Sequence, residues 1–385
     1  MGNYTLHRDF QLLGFLRYKN LQLVIFISVL WMYLFTLCAN LVIIILVCLV
    51  PQLHTPMYFF LSKLSVQDII YVTAILPKLI DITLTGDNRI SYPGCITQMF
   101  LYVFCATVEF LLLTFMAYDR YVAICIPMRY CIIMKKSLCV SLAAVSWLIA
   151  APNSMMYCWL VSKLIFCGDQ KINNFFCEVK TLLELSCSNI NHIRIILLVL
   201  GLLLGVLPFS LILISYTNII SSVLKISSSE RKFKFFSSCF SHITVVVLYC
   251  GTTLSFYLKP DTPDLQETDK LLSLLFVVFT PLLNPLVYSL RNKDITNASK
   301  RMINVCLRAV TTQTEGMLIS DVPEFQPEAG HNFTIPPSKF CWSNLPMTPT
   351  VHWRICESKE REKAQGKKAK TLWPNKSEKV SDCGD

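Results

Sequence analysis

Long apolar stretches separated by short polar segments form the main pattern of the chain. Seven of them are long enough to cross the roughly 30 Å hydrocarbon core of a membrane, which takes about 20 helical residues. Hydrocarbon offers no partners to backbone N–H and C=O groups, so each span must be a closed helix. The pattern predicts an all-α membrane protein, a seven-transmembrane helix bundle. The predicted spans are residues 23–50, 57–80, 92–125, 138–161, 193–222, 236–258 and 271–290.

Basic residues collect in alternate loops and predict how these spans are oriented. The loop between spans three and four contains Arg129, Lys135 and Lys136, whereas the loop after span six contains four acidic residues. Cytoplasmic loops carry the excess of Lys and Arg in membrane proteins. We therefore expect the N-terminus outside the cell and the C-terminus in the cytoplasm.

This orientation divides the chain into four segments. Residues 1–22 form an extracellular N-terminus, in which Asn3 begins a glycosylation sequence. Residues 23–290 form the bundle. Residues 291–308 predict a short amphipathic helix on the inner leaflet. Residues 309–385 lack a sustained apolar period and predict a disordered cytoplasmic tail.

Composition agrees with a membrane protein. Hydrophobic residues make up 54% of the 385 residues and charged residues 16%, well below the quarter or so usual for soluble domains. The formal net charge is +10. The basic residues responsible for it lie around the spans, where they indicate orientation rather than nucleic-acid binding. No phosphate loop, zinc pattern or supported Ser-His-Asp arrangement occurs, so we expect neither an enzyme nor a nucleic-acid partner.

An acid and a base stand side by side at the inner end of span three, as Asp119 and Arg120. Charges are costly inside a bilayer, so the pair marks the exit of the helix into water. Two interpretations are open at this point. The pair is either a two-state latch in which Arg120 reaches a partner helix, or a plain cytoplasmic anchor.

Five strings resemble those of olfactory receptors, a branch of the rhodopsin-like G-protein-coupled receptors. The resemblance implies a multi-pass plasma-membrane receptor, surrounded by lipid. Such a receptor binds a small hydrophobic odorant from outside and activates a stimulatory olfactory G protein, which raises cyclic AMP. The strings are LHTPMYFFL (53–61), MAYDRYVAIC (116–125), SYTNII (215–220), KFFSSCFSH (234–242) and PLLNPLVYSLRN (281–292).

The same resemblance implies a switch that couples the bundle to the G protein. Within it, Pro285 interrupts the helical hydrogen bonds, and we expect Asn284 to satisfy the freed backbone groups. The switch residues are Asp119, Arg120, Tyr121, His242, Asn284, Pro285 and Tyr288.

Two acids lie within predicted spans, Asp68 in span two and Glu109 in span three. An intramembrane acid costs about 2.5–3.5 kcal/mol on insertion scales, so both need partners. The resemblance implies a sodium site with these two residues as its acidic ligands, and no other cofactor. The alternative is two protonated carboxyl groups bonded to neighbours such as Asn284.

The resemblance implies an odorant pocket in the outer halves of spans three, five and six. The candidate residues recur three and four positions apart, which places most of them on one face of each helix. They are mostly apolar, as expected for a small, weakly polar ligand, but apolar positions at this spacing are also typical of ordinary packing. The candidates are Met99, Tyr102, Val103, Ala106, Thr107, Leu200, Leu204, Cys250, Thr253 and Tyr257.

Four cysteines lie in the predicted outer segments, where disulfides are expected. They are Cys95, Cys167, Cys177 and Cys187, and spacing alone leaves three pairings open. The resemblance pairs Cys95 with Cys177, which leaves Cys167 for Cys187.

The sequence departs from the family pattern at three places. Asn174 stands where His is usual, Cys250 replaces an aromatic residue, and the tail after residue 308 is long. The first departure argues against a metal contact in the loop after span four. The others keep a receptor-like protein without signalling as an alternative. A small channel or transporter is the other alternative, and current or flux without a G protein would identify it.

Overall fold

The computed structural model describes residues 9–226, 228, 232, 239–240, 242–251, 270, 273–290 and 295–300. Long helices dominate this part of the chain, and α1 to α5 are each long and apolar enough to cross a membrane. They confirm the first five predicted spans, although α2 continues beyond residue 80. The helices are α1 (Gln22–Leu49), α2 (Pro56–Thr85), α3 (Tyr92–Cys125), α4 (Lys136–Ser162), α5 (Asn191–Leu224), α6 (His242–Gly251) and α7 (Thr280–Leu290).

Several predicted segments fall partly or wholly outside the described residues. The helix α6 is the described part of the sixth predicted span, and residues 295–300 are the described helical part of the predicted inner helix. The tail at 309–385 lies outside them entirely. Two short helices stand between the long ones, Tyr130–Ile133 before α4 and Val179–Glu184 before α5.

The centre of the described bundle is α3, which packs against α2, α4 and α5. In turn, α1 packs against α2 and α7. Side chains on the outer faces are large and apolar: Trp31 on α1 is 61% exposed and Leu198 on α5 is 62% exposed. Hydrocarbon solvates such faces as readily as a protein core does, so they are suited to contact lipid.

A proline inside α7 removes one hydrogen bond of the helix, and a side chain from α1 supplies the missing donor. Pro285 has no N–H, so the carbonyl of Pro281 four residues earlier loses its usual donor. Asn40 on α1 donates its side-chain N–H to that carbonyl at 3.2 Å. The expectation that Asn284 would satisfy the freed group is wrong, because Asn284 points its amide at two carboxylates instead.

A small sheet, which the all-α prediction missed, closes one end of the bundle. It has three strands, β1 (Phe10–Leu12), β2 (Arg89–Ile90) and β3 (Lys171–Ile172). The central strand β1 pairs antiparallel with β2 and parallel with β3. The side chains of Phe10 and Leu12 point into a buried apolar cluster, while the side chain of Gln11 between them is exposed. The sheet thus ties the N-terminal segment to the α2–α3 and α4–α5 loops.

Candidate functional site

The C-terminal end of α3 holds a buried acid, Asp119, close to Tyr130 and Arg120. The Asp119 side chain is almost fully buried, and its Oδ1 accepts a hydrogen bond from the Tyr130 hydroxyl at 2.9 Å. The Arg120 Nε lies 3.9 Å from Asp119 Oδ2, a loose ion pair. Tyr121, which follows Arg120 directly, is half-buried, and its ring contacts the Tyr118 ring.

Tyr130 belongs to the short helix between α3 and α4. Burial and the nearby Asp119 carboxylate raise the pKa of the Tyr130 phenol well above its usual value. The phenol therefore keeps its proton at physiological pH and donates it to Asp119. The loop is in this way fixed to the end of α3, where Arg120 also lies.

A histidine on α6 joins three helices. Among the described residues, His242 Nε2 lies 3.0 Å from the Leu113 carbonyl on α3, and Nδ1 lies 2.6 Å from the Tyr216 hydroxyl on α5. A carbonyl only accepts, so Nε2 carries the proton, and in the neutral ring Nδ1 accepts from Tyr216. We call this arrangement the histidine junction: Leu113, Tyr216 and His242.

Midway along the bundle, two carboxylates share one amide. Asn284 Nδ2 on α7 lies 3.2 and 3.1 Å from the two carboxylate oxygens of Asp68 and 3.3 Å from Glu109 Oε1. All three side chains are buried. The structure therefore brings together the two acids that the sequence proposed as sodium ligands. In the described part of the chain, no group of three or more His, Cys, Asp or Glu residues could hold a metal.

Two disulfides lie at the end of the bundle that carries the small sheet. Cys95, near the start of α3, is bonded to Cys177, and Cys167 is bonded to Cys187. This is the pairing that the resemblance implies. Cys95 and Cys177 are fully buried, whereas Cys167 and Cys187 are exposed.

A column of aromatic rings fills the space under the sheet. Phe15 stacks on Phe175, Phe175 contacts Phe176, and Phe176 contacts Tyr102 at centroid distances of 5.8, 5.0 and 5.0 Å. Tyr102 continues to Tyr71 on α2. The rings connect the N-terminal segment to the middle of the bundle.

Two polar side chains hold this loop in place. Gln98 on α3 donates to the Ala74 carbonyl on α2 and accepts from the Cys177 N–H. Asn174 is buried, and its Oδ1 accepts from the Phe175 N–H at 2.8 Å. Asn174 therefore has a local backbone partner at the position where His is usual.

The predicted pocket residues on α3 are mostly buried in this structure. Met99 packs in the cluster around the Cys95–Cys177 disulfide. The Ala106 carbonyl accepts from the Tyr249 hydroxyl on α6 at 2.8 Å. Thr107 donates to the Val103 carbonyl at 2.8 Å.

The other pocket candidates are spread along α5 and α6. Leu200, Leu204 and Cys250 are half-buried. Leu204 lies in the π-helical turn Leu202–Val206, where α5 changes its hydrogen-bond spacing. Thr253 and Tyr257 lie outside the described residues, as does the predicted acceptor Asn3. Tyr288 lies within α7, and its side chain is also outside the described part.

A cavity of 290 Å³ lies elsewhere in the bundle. Its lining includes Cys38 and Val42 of α1, Pro285 of α7 and Ile295 in the helical segment after α7. It borders the α7 proline but none of the predicted pocket residues.

Comparison with known proteins decides the family. A family model described as "Olfactory receptor" matches residues 29–305. The chain belongs to the olfactory receptor family. Olfactory receptor 13F1 of Homo sapiens is 44% identical over 302 residues, which cover 78% of this chain and 95% of the relative. Olfactory receptor 1468 of Rattus norvegicus is 41% identical over 309 residues, which cover 80% of this chain and 98% of the relative.

As a member of this family, the chain is an odorant receptor of the G-protein-coupled class, and it is not an enzyme. It is a multi-pass protein of the plasma membrane, in agreement with its apolar helices. The family model and the relatives therefore confirm the resemblance to olfactory receptors that the sequence strings indicate.

Sequence reasoning missed several residues of this olfactory receptor that hold the candidate sites together. Tyr216 and Tyr130 were not assigned as partners of His242 and Asp119, and Asn153 was not connected to Thr107. Tyr216 lies within SYTNII (215–220), one of the strings that resemble the family, and a buried Tyr hydroxyl usually has a partner. That rule could have singled it out, although it could not name His242 as the partner.

We expect Tyr216→Phe to raise the basal activity of the receptor. The change removes the hydroxyl that pairs with buried His242 Nδ1, and an unsatisfied buried group costs roughly 1–3 kcal/mol. Tyr216 is the α5 partner in the junction, and the His242 bond to Leu113 on α3 remains, so the unpaired Nδ1 favours conformations in which α6 has moved and the imidazole has found another partner. Basal cyclic AMP per surface receptor measures the effect.

The neighbouring Ser215→Ala is the matched control, because the Ser215 hydroxyl bonds only to Leu211 in its own helix among the described residues. Basal activity that is the same in Tyr216→Phe, Ser215→Ala and the unmodified receptor would contradict the role of the junction.

Proposed function

We propose that this receptor couples odorant binding to a stimulatory olfactory G protein and raises cyclic AMP. The proposal includes a seven-helix bundle at residues 23–290, an extracellular N-terminus at 1–22 and a cytoplasmic C-terminus. The inner-leaflet helix at 291–308 and the cytoplasmic tail at 309–385 belong to it as well. The disposition of basic loops supports this orientation, since Arg129, Lys135 and Lys136 lie near the inner end of α3.

The observation that carries the proposal is the position of the histidine junction on α3. Leu113 lies between the proposed pocket residues, at 99–107, and the Asp119–Arg120 pair. At 1.5 Å per residue, the junction is roughly 9 Å from Thr107 and a similar distance from Asp119. A ligand that moves α6 relative to α3 would therefore act on the junction directly.

The proposed odorant pocket lies between the outer halves of α3, α5 and α6. Support comes from the contact between Tyr249 on α6 and the Ala106 carbonyl on α3, because the two helices meet at a candidate residue. Cys250 follows Tyr249 directly. A ligand between α3 and α6 would compete with this contact, which gives the binding event a means to shift the bundle.

The proposal includes a sodium ion at Asp68 and Glu109. The residues fit a small cation, because two buried carboxyl groups that share one amide would carry unbalanced negative charge in their ionised form. Ser65, one turn before Asp68 on α2, is buried, and its Oγ has no hydrogen-bond partner in the described part of the chain. Oxygen ligands of this kind suit hard cations. The ion would neutralise the acids and hold α2, α3 and α7 together.

We expect sodium to lower the basal activity of the receptor in isolated membranes. Replacing potassium by sodium at equal ionic strength should reduce basal nucleotide exchange on the G protein by about fivefold, the lower range of typical allosteric coupling. Asp68→Asn should remove the difference between the two salts.

Asp81→Asn is the control on the same helix, because Asp81 pairs with Lys78 away from the two acids. Equal exchange in both salts for the unmodified receptor would favour two protonated carboxyl groups over a sodium site.

A cyclic AMP reporter in cells that express the receptor and an olfactory G protein tests the coupling. We expect at least one compound of a broad odorant panel to raise cyclic AMP, and the rise to require the stimulatory α subunit. A calcium signal without cyclic AMP would contradict the G-protein class. Surface receptor without any response would favour the non-signalling alternative.

A further inference from the structure

A side chain on α4 offers an unused hydrogen-bond acceptor beside the proposed pocket. Asn153 is 9% exposed. Its Nδ2 donates to Thr107 Oγ1 on α3 at 3.1 Å. Its Oδ1 is buried and has no hydrogen-bond partner in the part of the chain that the structure describes.

The neighbouring hydrogen bonds fix which end of the amide is free. The Thr107 hydroxyl donates its only proton to the Val103 carbonyl at 2.8 Å. The Thr107 oxygen can then only accept from Asn153, so the NH₂ group must face it. The Asn153 carbonyl oxygen is therefore the atom left without a donor.

Buried polar atoms in folded proteins are nearly always satisfied by protein, water or ligand. The next residue shows the usual situation: Ser154 is fully buried, and its hydroxyl donates to the Ala150 carbonyl in the same helix. Asn153 differs because its amide is turned towards α3, where Thr107 and Val103 are both pocket candidates. The unpaired acceptor belongs to the side chain that contacts the proposed pocket residue Thr107, and it comes from a helix that the pocket prediction did not include.

We propose that Asn153 Oδ1 is the polar anchor of the odorant pocket and accepts a hydrogen bond from the hydroxyl group of an alcohol or a phenol. The inference rests on the pocket proposed above. Thr107 acts as a positioning residue, because it holds the amide with its oxygen free. A neutral donor suits a neutral acceptor, so the anchor selects hydroxyl compounds over ethers of the same skeleton.

The test compares matched pairs of ligands on matched receptors. The probes are linear and aromatic alcohols and phenols, each paired with its methyl ether, and the readout is cyclic AMP normalised to surface receptor. We expect the unmodified receptor to prefer the hydroxyl compounds by about fivefold, the effect of one ordinary hydrogen bond. Asn153→Leu and Asn153→Ala should each reduce that preference to nearly one. Ser154→Ala should keep it.

The outcomes separate this anchor from the odorant function itself. If ethers activate the unmodified receptor as well as their alcohols do, or if neither class activates it, the anchor is overturned. A response to other compounds of a broad panel upholds odorant binding in either case. An equal loss for both classes in the Asn153 variants also overturns the anchor, because it indicates a structural role such as holding a water molecule.

Discussion

Arg120→Ala is expected to abolish the odorant-evoked rise in cyclic AMP while the receptor still reaches the cell surface. Arg120 lies near the C-terminal end of α3, and its ion pair with Asp119 is loose at 3.9 Å. Asp119 keeps the Tyr130 hydrogen bond when the arginine is removed, so the end of α3 stays fixed to the loop that follows it. The change removes the cation that we propose as the contact with the G protein. Cyclic AMP and surface labelling in the same cells measure the two effects.

Arg129→Ala is the matched control for this experiment. Arg129 ends the turn Pro127–Arg129 near the same end of α3 and is exposed. Its replacement removes an equal charge near the same helix end, and exposed charges there act mainly through the general potential. Full signalling by Arg120→Ala, or equal loss in both variants, would remove the specific role of Arg120.

Cys177→Ser is expected to prevent the receptor from reaching the surface, and Cys95→Ser should do the same. The Cys95–Cys177 bond is fully buried and lies within a cluster that includes Phe10, Met99 and Ile172. Removal of a native disulfide from a small secreted domain typically costs about 2–5 kcal/mol. Here it also releases the loop whose aromatic rings fill the outer end. Surface labelling and glycan maturation measure the result.

Two other cysteine changes provide the comparison. Cys158 has a free thiol that packs against the same cluster, so Cys158→Ser makes the same chemical change without breaking a disulfide. Cys167 and Cys187 are exposed, so loss of their bond should reduce surface expression much less. Normal maturation of both Cys95→Ser and Cys177→Ser would show that the buried bond is dispensable.

The long helices were predictable because their signal is local. About 20 apolar residues in succession have one stable form in hydrocarbon, and α1 to α5 follow from that rule alone. The sheet was not predictable, because strands of two or three residues have no period to detect. Its strands are also far apart in sequence, and each lies in a segment whose sequence predicts only a loop.

The candidate sites were predictable as residues but not as contacts. Asp68, Glu109 and His242 stood out because ionisable groups are rare within spans. Their partners Asn284 and Tyr216 come from helices more than 20 residues away. The hydrogen bond from Asn40 to the Pro281 carbonyl depends on how α1 packs against α7, and no sequence pattern specifies that packing. Physical reasoning therefore predicted which groups need partners, and only the fold supplies the partners.

The small sheet has a consequence for the order in which the receptor is made. Its central strand β1 pairs with residues 89–90 and 171–172, so β1 is synthesised long before either neighbour. At about 5–20 residues per second, roughly 160 residues of translation separate Leu12 from Ile172, a delay of roughly 8–32 s. Both edges of β1 are unpaired until β2 is made, and the edge that pairs with β3 stays unpaired until residues 171–172 are made. The ribosome must complete α4 and reach β3 before the N-terminal segment can take its final place, so a strand made at the very start of the chain is paired on both edges only after four long helices have been synthesised.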